Sequence, residues 1–115
     1  MTVESLQTLC KKFPKVTEDV KWGNDLCFCL AKKMFLVIGL GESPVGASFK
    51  VTDEEFDELS NRSGFMPAPY VARYKWVLVK DINTLSKKDW EHYAKQSYEL
   101  VRDKLSKKVR KEFGL

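Results

Sequence analysis

The sequence predicts an α+β fold: a mostly antiparallel five-stranded sheet with N- and C-terminal helices on one face, formed as a single domain over residues 1–115. Three observations carry this reading. Strand-like stretches follow one another from Val16 to Val51 with no helical pattern between them, so strands and helices are segregated rather than alternating. Both ends of the chain instead repeat apolar residues at three- to four-residue spacing, the period of a helix. A chain of 115 residues also buries roughly two-thirds of its unfolded surface, enough for one core without metal or disulfide staples.

The elements follow in order. Thr2 caps a first helix to about Lys12, with Val3, Leu6, Leu9, Cys10 and Phe13 on one face, and Pro14 ends it. Val16–Trp22 reads as a strand closing on the turn residues Gly23, Asn24 and Asp25. Leu26–Ala31 and Met34–Leu40 read as two strands joined through Lys32-Lys33, a two-residue hairpin loop. Gly39, Gly41, Pro44 and Gly46 break the chain around the start of a fourth strand, Val45–Val51. Thr52 and Glu55 form a capping box for a short helix to about Ser60. Pro67 and Pro69 stiffen the loop Asn61–Tyr70, which aims the aromatic strand Tyr74–Lys80. Ser86 with Asp89 caps the longest helix, expected to run to about Lys111 with Trp90, Tyr93 or Ala94, Ser97, Val101 and Leu105 facing inward; Gly114 marks its end.

Composition excludes several classes. With 43% hydrophobic and 31% charged residues and a mean hydropathy of -0.36, the chain is neither disordered nor fibrous. It has no apolar run long enough to span a bilayer, and its N-terminus lacks the basic start and apolar core of a signal peptide, so a cytoplasmic location is expected. Cys10, Cys27 and Cys29 are an odd number without disulfide-framework spacing and read as buried free thiols in a reducing compartment. The formal charge of +4 is localised: Arg102 to Glu112 holds six bases and two acids, and the other fourteen bases and fourteen acids cancel.

No residue pattern nominates catalysis. His92 is the sole histidine and no nucleophile motif accompanies it, so a non-enzymatic protein with no catalytic residues is expected. Cys27 and Cys29 share one face of their strand, but only Cys10 and His92 remain as soft donors; no metal or cofactor is expected, and the two thiols are placed beneath a helix. The acids Asp53, Glu54, Glu55, Asp57 and Glu58 suit the positive end of a helix dipole. Gly39-x-Gly41 lacks the third glycine of a phosphate-cradling loop.

Binding is better represented. Lys104, Lys107, Lys108 and Lys111 recur every three or four residues of the expected long helix, with Arg110 beside them; with Arg73 and Lys75 they can meet phosphates, and they also complement the negative end of the helix. Tyr70, Tyr74 and Trp76 are candidates for a ligand groove beside the proline loop or for stacking bases.

Trp22-Gly23, the two-strand unit ending in Met34-Phe35, the Pro-x-Pro-Tyr loop leading to Lys75-Trp76-Val77, and Ser97-Tyr98-Glu99-Leu100-Val101 ahead of Lys104-Leu105 resemble the MmcQ/YjbR-like family of small bacterial proteins over nearly the whole chain. The resemblance implies a CyaY-like (frataxin-like) fold and a family largely of unknown function, with DNA binding through protruding hairpin wings proposed for some members. The wings map onto Lys32-Lys33 in one hairpin and Glu42-Ser43-Pro44 in another. Iron binding by analogy with frataxin is disfavoured, because the first helix sets Glu4 against Lys11 and Lys12 instead of being acidic. The expectation is a small, monomeric binding protein with DNA as the leading ligand, through Lys32, Lys33, Arg73, Lys75, Lys104, Lys107, Lys108, Arg110 and Lys111. The alternative is a protein- or small-ligand-interaction module using the open sheet face and the Pro67–Tyr70 loop.

Overall fold

The structure, a computed structural model, describes residues 1–115. The chain runs α1 (Val3–Lys11), β1 (Val16–Lys21), β2 (Asp25–Leu30), β3 (Lys33–Gly39), β4 (Gly46–Lys50), α2 (Asp53–Ser60), β5 (Phe65–Pro67), β6 (Trp76–Val79), α3 (Lys87–Asp103) and α4 (Lys107–Glu112). Single 3-10 turns at Ala72–Tyr74 and Ile82–Thr84 flank β6. The six strands form one sheet in the order β1-β2-β3-β4-β6-β5, and every neighbouring pair is antiparallel. The α+β class and the antiparallel sheet match the sequence reading.

Three boundaries are corrected. The sheet has six strands, not five: Phe65–Pro67, expected as loop, pairs with β6 at the sheet edge, where Pro67 can sit without breaking a ladder. The first hairpin loop is Ala31-Lys32, not Lys32-Lys33. Both loop residues are left-handed (φ 49° and 68°), which matches the strand twist, and Lys33 is already the first residue of β3. The long C-terminal helix is two helices. Ser106 accepts a hydrogen bond from the Val109 N–H and starts α4, so the expected single stripe of bases is divided between the end of α3 and α4.

Both terminal helices that pack on the sheet lie on one face. The core there joins Leu6 and Cys10 of α1 and Trp90, Ala94, Tyr98 and Val101 of α3 to Leu26, Phe28, Leu30, Leu36, Ile38, Phe49 and Val77 of the sheet. Polar tips within it are satisfied: Trp90 Nε1 donates to the Ile82 carbonyl at 2.8 Å, and Tyr98 Oη donates to the Pro14 carbonyl at 2.7 Å. Phe28 pairs with Leu36 and Cys29 with Met34, so Phe35 is an extra, bulged residue. The bulge turns Phe35 into the aromatic cluster with Phe13, Phe28 and Tyr98, and sends Met34 to the other face.

The bulge also interrupts the β3–β4 ladder. The next pair after Leu36–Phe49 is Phe35–Lys50, and Ser97, fully buried on α3, fills that place: its hydroxyl donates to the Phe35 carbonyl and accepts from the Lys50 N–H at 2.9 Å. Replacing Ser97 with Ala leaves a buried donor and a buried acceptor without partners. The expected loss is about 2–3 kcal/mol, read as a lower denaturation midpoint. Gly46→Ala is expected to destabilise as well, because a Cβ there would sit 2.8 Å from the Val79 carbonyl oxygen; a midpoint equal to wild type would contradict that packing.

Candidate functional site

The face of the sheet away from α1 and α3 is bare and concave. It forms a groove of about 980 Å³, floored by Met34 and Val37 of β3, Ser48 of β4 and Trp76 and Leu78 of β6. Three connections build its walls: Trp22 in the β1–β2 turn, Glu42 to Pro44 between β3 and β4, and Pro69 to Val71 ahead of β6. The lining is chiefly apolar, and its charges are confined to Asp25, Glu42 and Lys80. Two aromatics at the walls are held out in solvent: Tyr70 is 99% exposed and Trp22 71%. Both have left-handed backbones (φ 68° and 52°), a conformation that for bulky residues carries strain of about 1–3 kcal/mol and persists only where its surroundings impose it.

Of the predicted groove residues, Tyr70 and Trp76 line this space. Tyr74 does not; it is half-exposed outside it, with the Arg73 guanidinium 4.8 Å over its ring. Trp22, Met34, Val37 and Leu78 were missed. The available signal was the run Leu26 to Leu30 and its neighbour Met34 to Ile38, apolar on both alternating faces, whereas a strand with one solvated face alternates. The same geometry corrects the cysteines. Cys27 and Cys29 are buried, but they lie opposite Val37 and Met34 on the helix-free face, not beneath a helix, because Leu26, Phe28 and Leu30 take the other. Cys10 is buried among the helix-side residues, so the three thiols do not converge.

The predicted phosphate-contacting bases gather at one end of the sheet. The register sets Val16, Leu30, Lys33, Lys50 and Trp76 along that edge. Lys32 and Lys33 emerge there from the β2–β3 hairpin, Arg73 and Lys75 from the approach to β6, and Lys104 from the end of α3. Helix α4, with Lys107, Lys108, Arg110 and Lys111, returns the chain toward Lys15 beside Val16: a Cβ built on Gly114 would lie 3.3 Å from Lys15 Cε. None of the nine is in an ion pair. The second wing, Glu42-Ser43-Pro44, lies at the opposite end, in the groove wall. His92 is exposed on α3, its Nε2 4.0 Å from Glu55 Oε2, and lines no part of the groove.

The YjbR family profile matches residues 11–100, which spans the sheet, α2 and most of α3. The chain belongs to the YjbR family. Its fold is similar to the crystal structure of a Deinococcus radiodurans protein with a DUF419 domain, at 28% identity and a TM-score of 0.85, covering 99% of this chain and 88% of that one. A crystal structure of a Pseudomonas syringae protein shares the fold at 19% identity and a TM-score of 0.69, covering 87% of this chain and 98% of its own. No curated protein matches. In this YjbR protein no helix is long and apolar enough to cross a membrane.

Burial pushes the Cys27 thiol up to about 11 and the Cys10 thiol up to about 12. Unfolded, both ionise near the ordinary 9.0. Above that pH the unfolded chain therefore holds fewer protons than the folded one, and folding stability falls as pH rises through the raised values. Denaturation midpoints followed from pH 9 upward are expected to fall less steeply in Cys27→Ala than in wild type; parallel profiles would contradict this burial.

Proposed function

We propose that this YjbR protein is a non-enzymatic binding module whose site is the groove on the bare sheet face, and that its ligand is a flat, mostly apolar organic molecule. The observation that carries this is the groove itself: about 980 Å³, at the upper end of the roughly 300–1,000 Å³ typical of small-molecule sites. Apolar floor atoms supply the area. Trp22 and Tyr70 offer aromatic faces at the walls, and Asp25, Glu42 and Lys80 provide the few polar groups that orient a ligand. The direct experiment is a fragment titration followed by NMR. Aromatic fragments are expected to shift Val37, Trp76 and Leu78 together, and Leu78→Glu is expected to abolish the effect. Because Trp22 is exposed, Trp22→Ala should weaken binding several-fold while changing stability by no more than about 0.5 kcal/mol. Shifts scattered over both faces, or none, would remove the proposal.

A second reading is favoured by a separate observation, the gathering of nine unpaired bases at one end of the sheet. Here the ligand is duplex DNA, held by its phosphates with Lys32 and Lys33 as a single basic wing. Binding of that kind weakens with salt by a log–log slope of about 0.9 per phosphate neutralised. Titration of a labelled duplex at two ionic strengths is expected to show a steep slope that flattens in the Lys32→Ala/Lys33→Ala double variant; absence of affinity even at low salt would eliminate it.

A further inference from the structure

The charged groups of the groove sit at one end of it, and their signs are sorted. Asp25 pairs with Gly39, Gly39 with Gly46, and Gly46 lies beside Lys80, whose carbonyl oxygen would be 3.2 Å from a Cβ built on Gly46. This row crosses β2, β3, β4 and β6, so at about 4.8 Å per strand the Asp25 and Lys80 backbones stand roughly 14 Å apart, with two glycines between them. The acids share one side. Facing residues of an antiparallel pair hold their Cβ positions about 5 Å apart, and a Cβ on Gly39 would lie 3.4 Å from Glu42 Cγ. The Asp25 and Glu42 side chains therefore rise together beside Gly39. Trp22 leaves β1 at the same place, since Lys21 before it pairs with Asp25. None of Lys21, Asp25, Glu42 and Lys80 is in an ion pair.

Two carboxylates and an exposed indole beside an apolar floor are what an organic cation binds: opposite charge on one side, the negative face of an aromatic ring on another. The rest of the molecule reinforces that direction. The nine unpaired bases gather at the other end of the sheet, beyond Trp76, so the field along the groove draws a positive group toward Asp25 and Glu42. No base lines the Trp76 end of the groove itself, so those bases repel a cation without offering an anion a contact inside. We propose that the groove's ligand carries a protonated amine on its flat apolar body, with the ammonium held by Trp22, Asp25 and Glu42 and the body lying over Val37 and Leu78. This inference rests on the groove reading above and adds the ligand's charge and direction to it.

The test uses the full chain and three fragments on one ring system: naphthylmethylamine, naphthylmethanol and naphthoate. Each is titrated at low and at high salt and followed through the NMR signals of Val37, Trp76 and Leu78. The amine is expected to bind about tenfold tighter than the alcohol at low salt, the combined effect of partly exposed charge pairs and a cation–π contact. The carboxylate should be weakest, and the spread should narrow at high salt. In Asp25→Asn/Glu42→Gln, which removes charge while keeping shape, amine and alcohol should bind alike, with the alcohol's affinity and the thermal midpoint at wild-type values. An alcohol that binds wild type as tightly as the amine would overturn the cation assignment and leave the groove reading standing. An amine preference that survives in the double variant would do the same. Shifts from none of the three fragments would remove the groove reading itself, and this inference with it. Dimerisation through this face, with the same signals moving on dilution, would also overturn it.

Discussion

The hydroxyl of Ser97 stands where a rung of the sheet is missing. The Phe35 bulge would otherwise leave a carbonyl on β3 and the Lys50 N–H on β4 unpaired in the interior, and the α3 side chain serves both at once. A buried polar group without a partner is expensive, so the helix cannot slide along the sheet or rotate without exposing two such groups. Other contacts fix α3 more loosely. Its aromatic anchors, Trp90 against Phe49 and Tyr98 against Phe35 and Phe13, tolerate small shifts as dispersion contacts do.

From that constraint follow the two surfaces that can bind something. With α3 held across β3 and β4 and α1 packed beside it, all helical cover of the sheet is spent on one face, and the apolar residues of the other have only the connecting loops around them. The bulge contributes directly by turning Met34 into the groove. The fixed angle of α3 also decides where its C-terminal end emerges, which brings Lys104 and α4 to the same end as the basic hairpin. Apolar floor and cationic end are thus two products of one helix placement.

What was legible in the sequence followed from local chemistry. Thr2, Thr52 and Ser86 cap the helices they were expected to cap, since a side-chain oxygen before an apolar-periodic stretch acts within three residues of itself. Ser106 has the same role but lacks an acidic partner three residues on, and the break it makes is shorter than one turn, so the periodic pattern ran through it. Strand β5 is three residues long and ends on a proline, too little for alternation to register. Tyr70 and Trp76 were found through the stiff proline loop. The rest of the groove was hidden because an apolar residue facing an open groove looks, in sequence, like one facing a core. Nothing in the sequence around Lys50 marks it as buried; its Nζ donates to the Tyr74 carbonyl, 24 positions away along the chain.

The central claim is that one α3 hydroxyl clasps the sheet at the Phe35–Lys50 gap. Amide hydrogen exchange at Lys50, measured residue by residue in wild type and Ser97→Ala, tests it most directly. The account predicts an amide protected nearly as well as the β2–β3 ladder in wild type, and selectively deprotected in the variant while that ladder stays intact. A Lys50 amide that exchanges quickly in wild type, or that keeps its protection when the hydroxyl is gone, would contradict it.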